Sequence, residues 1–356
     1  MKPIWYMNLA EPLIDIKNLN KNQLLNWLAE QKIERFRADQ IFKWIYLRQA
    51  DHFDQMTDLG KSVRSRLTAA FFIERLPVER IETSCDGSRK YLFRLSDGNR
   101  IETVLIPEKS HHTLCVSTQV GCAQGCRFCM TARQGFVRNL RTGEIIAQIR
   151  DVQQHMASPA QLKNIVFMGM GEPLANFDNL LSAIDIITDG DSGLKFSTRR
   201  VTVSTAGMVP KISSLGQAST VNLAISLNAT DNKTRSMLMP INRAFPIEEL
   251  LEACAHYPLS HRRKITIEYI LIRDLNDSLE NARRLSDFIR RLKAKINLIP
   301  FNEHPGCEFK TPTESTVETF LKFLHDRGHT AIVRYSKGRD ISAACGQLRA
   351  DTALEY

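Results

Sequence analysis

Three cysteines crowd into eight residues in the segment Gly121-Cys122-Ala123-Gln124-Gly125-Cys126-Arg127-Phe128-Cys129. C-x3-C-x2-C spacing in a glycine-containing stretch lets three thiolates converge on one inorganic centre. Iron–sulfur clusters are held by thiolates, and three of them on a four-iron cluster leave one iron open to a small molecule. A structural zinc site is the other reading. Zinc of that kind wants four ligands, usually from paired C-x2-4-C or histidine elements. No second pair lies nearby, since Cys115 stands on a preceding apolar run and His111 and His112 are adjacent to each other. Three unrelated buried cysteines are the plainest alternative.

Further polar residues fall at the ends of apolar runs. In Gly169-Met170-Gly171-Glu172-Pro173, Gly171 lets backbone approach a ligand and Glu172 can accept from an ammonium group, although glycine-rich turns are common. Ser204, Ser226 with Leu227 and Asn228, and Asn302 offer short polar groups suited to carboxylate, ribose or adenine contacts. The same residues also serve as caps and turns. Cys345, followed by glycine, is a nucleophile or a small buried hydrophobe. Arg127, Arg133, Arg138 and Arg141 form an acid-free basic stretch, and His261-Arg262-Arg263-Lys264 forms another. Each run reads as phosphate contacts or as a solvated face.

The elements that must position these residues are legible in outline. At 356 residues, 43% hydrophobic and 24% charged, the chain has material for one large core and a smaller domain. Its net charge of +9 suits a polyanionic partner or a merely basic surface. The apolar runs fall far short of the roughly 20 residues a membrane-spanning helix needs. The Met1-Lys2-Pro3-Ile4-Trp5 start lacks the apolar core of a secretory signal, so a cytoplasmic location is expected. Eight cysteines in a reducing compartment favour metal binding or catalysis over a disulfide framework.

From Asn20 to about Glu82 the pattern is helical, with Leu24, Leu25, Leu28 and then Ile41, Phe42, Ile45 at helical spacing. Trp27, Trp44 and Tyr46 among basic residues fit a helix core better than an RNA platform. Residues 90–95 and 101–106 read as a hairpin joining two units, a helical accessory or RNA-binding domain over 1–95 and a core over 96–356. Beyond it, β-branched runs near 113–118, 165–169, 200–205, 221–227, 265–271, 296–301 and 331–335 alternate with amphipathic helices. Six or seven βα units are too few for a closed eight-fold barrel, which leaves an open partial barrel or a doubly wound sheet. Either fold gathers ligands at the carboxyl ends of the strands, where the polar residues above fall.

The cysteine spacing, with Phe128 before the last thiol, resembles the radical S-adenosylmethionine superfamily. That resemblance implies a partial (βα)6 barrel, a 4Fe-4S cluster on Cys122, Cys126 and Cys129, and a cofactor whose methionyl amine and carboxylate chelate the open iron. A GGEP-like segment, here Gly171-Glu172, holds the cofactor's amino group in such enzymes.

Residues 121–140, "GMGEPL" at 169–174, "AISLNA" at 224–229, "MPIN" at 239–242, "NLIPFN" at 297–302 and "AACGQL" at 343–348 are similar to the RlmN family. So is "FRADQIFKWIY" at 36–46, which extends the likeness over nearly the whole chain. The family implies methylation of adenosine carbon 2 in 23S rRNA at the peptidyl-transferase centre and in tRNA 3′ to the anticodon, with two cofactor molecules per turnover. Cys345 would become S-methylcysteine, lose a hydrogen atom to the adenosyl radical, and add to the base. Glu102 or Cys115 would take the ring proton, and Cys115 would attack the Cys345 sulfur to release product and leave a transient disulfide. From the residues alone, Glu102 is a carboxylate in a strand with an ordinary surface role open to it. An electron donor such as flavodoxin and a monomeric state are also implied.

One departure stands at Asn228, where the family commonly has histidine. The rivals are a Cfr-type enzyme acting at adenosine carbon 8 and a non-catalytic, metal-containing RNA-binding protein.

Overall fold

In the computed structural model, which describes residues 13–260 and 262–350, the β-branched runs line up in one ten-stranded sheet. Its strands are β1 (Val78–Thr83), β2 (Arg89–Arg94), β3 (Arg100–Pro107), β4 (His112–Cys115), β5 (Leu162–Phe167), β6 (Val201–Thr205), β7 (Asn222–Ser226), β8 (Ile265–Leu271), β9 (Ala294–Pro300) and β10 (Ala331–Val333). Each pairs with its predecessor in sequence. β1 to β4 are antiparallel, and β4 to β10 are parallel throughout. A doubly wound sheet would reverse its strand order at a switch point, and this order never reverses. The result is a singly wound, open partial barrel.

Helices Thr142–Gln154, Phe177–Thr188, Val209–Ala218, Ile247–Ala255, Leu279–Ile289 and Glu314–Asp326 fill the crossovers. Each lays an apolar stripe on the sheet. In Phe177–Thr188, Leu180, Ala183, Ile184 and Ile187 are buried, and burial of each large aliphatic chain contributes about 1.5–3 kcal/mol. The strands are buried on both faces, as parallel sheets require: β8 carries Ile265, Ile267, Tyr269 and Leu271 with no exposed surface on one face, and Thr266 and Glu268 are buried on the other.

The N-terminal unit is helical over Lys21–Glu30, Arg37–Phe42 and Lys61–Ala70, and Lys43–Leu47 prolongs the second helix as a wider π turn. Asn20 starts the first helix with a capping box, its Oδ1 accepting from Gln23 N at 3.0 Å while Gln23 Oε1 accepts from Asn20 N at 2.8 Å. The aromatic residues mostly pack inward. Tyr46 is buried, Trp27 sits edge-on to Phe71 with ring centroids 4.8 Å apart, and Trp44 is partly buried beneath the Arg48 guanidinium.

Two expectations change. The helical pattern does not run to Glu82, because Val78–Thr83 is a strand. As an edge strand it alternates between exposed and half-buried side chains, and its Val-Glu-Arg-Ile-Glu-Thr sequence carries no apolar period of two. Nor is the hairpin a joint between units. β2 and β3 belong to the large sheet, with Tyr91, Leu92 and Phe93 in the core. Among the described residues no helix is long and apolar enough to cross a membrane.

Candidate active site

The cysteine segment leaves the sheet after β4 through a short antiparallel ribbon, Gln119–Gly121 against Phe136–Asn139. Gly121 has φ +71, and a Cβ there would fall 1.8 Å from the Gly135 carbonyl oxygen. Only glycine fits this crossing, which turns the chain so that Cys122 N donates to Gly135 O at 2.9 Å. Phe128 anchors the far side of the loop in a small apolar cluster with Leu238, Met239, Ile272 and Phe301.

All three thiols line one cavity of about 170 Å³ at the carboxyl ends of the parallel strands. Burial, aided by the neighbouring thiols, pushes Cys122 up to about 12 and Cys126 well above the ordinary thiol range. Such a group stays protonated until a cation stabilises its thiolates. Among the described residues no three His, Cys, Asp or Glu side chains are close enough to share one metal ion. Three soft donors disposed around a cavity wall suit a thiolate-bound iron–sulfur cluster, in which each sulfur meets a different iron.

Most of the strand-end residues converge on the same space. Gly171, Glu172, Ser204, Ser226 and Asn228 line it. Glu172 is fixed by two backbone donors, Leu174 N to Oε1 at 3.0 Å and Ala206 N to Oε2 at 2.8 Å. Burial raises its pKa while these bonds oppose the shift. A buried carboxylate so held is pre-set to receive an ammonium group. Leu227 does not reach the cavity; its side chain is buried in the core. Asn228 lies at φ +58, a left-handed conformation that asparagine tolerates better than most residues. Its Oδ1 accepts from Ile270 N at 2.9 Å, tying the end of β7 to β8.

Cys115, at the end of β4, and Cys345, in the C-terminal segment, face the same cavity. Cys115 is buried and pushed up to about 12 by desolvation and by Cys345. As a residue Cys345 keeps solvent-exposed surface, whereas its thiol faces the crowded cavity, where desolvation raises it and Arg334 opposes the shift. Asn302 stands outside the cavity and holds the segment instead, its Nδ2 donating to the Cys345 carbonyl at 3.3 Å and to Ser336 Oγ at 2.9 Å. Glu102 does not line the cavity either. Its buried carboxylate meets Lys90 Nζ at 3.3 Å and accepts from Arg349 N at 2.8 Å.

Glu268 escaped the sequence reading. It lines the cavity, burial raises its pKa, and Arg334 opposes the shift. A lone carboxylate inside the apolar run Ile265-Thr266-Ile267-Glu268-Tyr269-Ile270-Leu271 was the available signal. Arg235 escaped it as well. Its buried guanidinium donates to the carbonyls of Ala206 at 2.7 Å and Leu227 at 3.0 Å, knitting the ends of β6 and β7. The basic stretch is only partly free for RNA, because Arg138 pairs with Asp97 and Glu144, and Arg127 pairs with Glu308. Arg262 to Lys264 precede β8, and His261 lies outside the described residues.

A singly wound partial barrel with a three-cysteine loop at its carboxyl face, beside a glycine-flanked glutamate, defines a radical S-adenosylmethionine enzyme. Residues 116–286 match the Radical SAM superfamily, and residues 14–73 match the ribosomal RNA large subunit methyltransferase N-terminal domain. The dual-specificity RNA methyltransferase RlmN of Desulfosudis oleivorans is 59% identical over 95% of this chain and 91% of its own length. That of Geotalea uraniireducens is 53% identical over 94% and 96%. The crystal structure of a radical SAM methyltransferase from Sphaerobacter thermophilus superposes with a TM-score of 0.88 at 42% identity, covering 96% of this chain and all of that one. The chain belongs to the RlmN family of RNA methyltransferases.

Proposed function

We propose that this enzyme methylates carbon 2 of adenosine in 23S rRNA and in tRNA, with Cys345 as the methyl carrier and Cys115 as the thiol that releases product. The observation that supports this most directly is the placement of Cys115, Cys122, Cys126, Cys129 and Cys345 on one cavity with Glu172. Cys122, Cys126 and Cys129 would hold a 4Fe-4S cluster, which when bound supplies the electron that makes S-adenosylmethionine a source of a hydrogen-abstracting radical.

The chain's own groups do the rest. Glu172 receives the cofactor's ammonium, while Ser204 and Ser226 face its polar remainder. The Cys345 thiolate takes a methyl group from the first of two cofactor molecules consumed per turnover. An aromatic carbon–hydrogen bond is too weak an acid and nucleophile for direct polar methylation, so the carbon carried on Cys345 must join the ring by a radical route. Cys115 faces the same cavity and is better placed than Glu102 to take the ring proton. The adduct's unpaired electron must leave with that proton, returning to the cluster when it is bound. As Cys115 sulfur then bonds to Cys345 sulfur and the sulfur–carbon bond breaks, the proton held on Cys115 passes to the released methylene, which becomes the product methyl, and a disulfide remains for an external thiol to reduce. A small electron-transfer protein such as flavodoxin would supply electrons, and a cytoplasmic monomer fits this work.

Anaerobic reconstitution with iron and sulfide, incubation with cofactor, reductant and unmodified RNA, and nucleoside mass spectrometry test the reading. Recovery of 2-methyladenosine is expected from both RNAs. Recovery of 8-methyladenosine would assign Cfr-type chemistry, and unmodified RNA with zinc-loaded protein would end the case.

A further inference from the structure

The segment that bears Cys345 has only a single 3-10 turn of its own, Arg339–Ile341, and the sheet holds it from one side. Lys90 on β2 lies opposite Val104 on β3, which lies opposite Cys115 on β4, so the three side chains share the face that looks into the barrel. Glu102, two residues from Val104, shares it too. Lys90 and Glu102 are an ion pair with almost no exposed surface. Lys90 Nζ donates to the Ile341 carbonyl at 2.7 Å, four residues before Cys345, while Glu102 Oε2 accepts from Arg349 N at 2.8 Å, four residues after it. One buried pair therefore grips both ends of the loop. The turn between β1 and β2 adds anchors upstream: Asp86 accepts from Gly338 N at 2.7 Å, and Asp340 accepts from Cys85 N at 3.0 Å.

We propose that Glu102 is a positioning residue and not the base: with Lys90 it clamps the Cys345 segment at both ends and so fixes the carrier sulfur over the cavity. A base must present a free lone pair to the carbon-bound proton. Glu102 does not line the cavity, and its two oxygens are turned instead to an ammonium and to a backbone N–H. The inference rests on the reading of Cys345 as methyl carrier.

The two roles separate at Glu102→Gln. The amide keeps an acceptor oxygen for Arg349 N–H but cannot accept a proton. As a clamp, E102Q stays within about threefold of the parent in 2-methyladenosine formation, whereas E102A falls on the order of a hundredfold, as misplacement of a reacting group by about 1 Å does. E102A also takes up deuterium faster across 341–349. Lys90→Met, which leaves the carboxylate in place but removes the Ile341 anchor, is expected to share both the loss and the faster exchange. As a base, E102Q would be as inactive as E102A, would accumulate a covalent RNA adduct on Cys345, and would leave exchange unchanged; that result overturns the proposal. K90M with parental activity and exchange overturns it as well. If the parent enzyme itself forms neither S-methylcysteine nor methyladenosine, the carrier reading fails separately, and the exchange data still decide the clamp.

Discussion

The cluster loop and the Cys345 segment meet at one cavity, yet they are held by opposite means. The cluster loop is shaped by its own neighbours: a ribbon between 119 and 139, a glycine crossing at 121 and 135, and a phenylalanine anchor. The Cys345 segment borrows its anchors from about 250 residues earlier in the chain, at Ser84 and Cys85 in the β1–β2 turn and at Lys90 and Glu102 in the strands that follow. The two are also stitched together, since Met130 N donates to the Gly346 carbonyl at 2.7 Å and Thr131 Oγ1 to that of Leu348 at 2.7 Å. A ligand loop must keep its geometry whether or not its ligand is present, and local construction secures that. A thiol with the carrier role proposed for Cys345 must meet two partners in turn, and a separately held strap allows it.

The largest effect that sharpens this contrast is loss of a cluster ligand. Cys126→Ala removes one of three thiolates and is expected to abolish methylation, with iron content after reconstitution reporting the loss. Cys115→Ala should leave the cluster intact and stop turnover at the covalent stage. RNA that remains attached to Cys345, seen as a protein band shifted by nuclease-sensitive mass, is the outcome to look for. Free methylated product from that variant would remove Cys115 from the pathway.

Glycine substitutions compare the two regions directly. Gly121→Ala forces a Cβ into a backbone oxygen at a positive φ, at an expected cost of roughly 2–4 kcal/mol, with reduced iron loading. Gly346→Ala also sits at positive φ, but its Cβ would stand 3.3 Å from the Phe128 carbonyl oxygen. About 1 kcal/mol and near-normal iron loading are expected there, with the deficit confined to turnover. Equal effects on iron loading would show that the two loops are one unit.

This contrast also explains what could be read from the sequence. Cysteine spacing, the Gly169 to Pro173 turn and the strand-end serines are local patterns tied to a fold rule, and all of them converge on one cavity. Positions whose roles depend on long-range contacts were opaque. Nothing near Asn302 indicates that its amide would hold a carbonyl 43 residues away. Glu102 and Lys90 lie in strands whose partner segment is some 250 residues distant. The strand Val78–Thr83 was hidden because an edge strand with charges on both faces shows no apolar alternation. The choice of a singly wound barrel over a doubly wound sheet is written in strand order, which periodicity does not encode.

Arg138 links the two regions and yields the smallest expected effect. It lies on the cluster ribbon, reaches Asp97 in the β2–β3 turn at 2.5 Å, and grips Glu144 with two bonds of 2.8 Å each. Its fork therefore ties the cluster loop to the antiparallel strands that hold Cys345. Read as a phosphate contact, Arg138→Gln would lower the slope of log affinity against log salt by about 0.7–0.9. Committed to two carboxylates, it should leave that slope unchanged and cost about 1–3 kcal/mol in stability, while exposed Arg133 shows the reverse pattern. The Arg138 guanidinium holds Asp97 well below the usual carboxylate range. The stability from that pair is whole above the unfolded value near pH 4 and drains away as the pH falls toward the depressed one. Acid unfolding followed below pH 4 should therefore separate parent from R138Q less and less. A gap that widened on acidification would place the stabilising partner elsewhere.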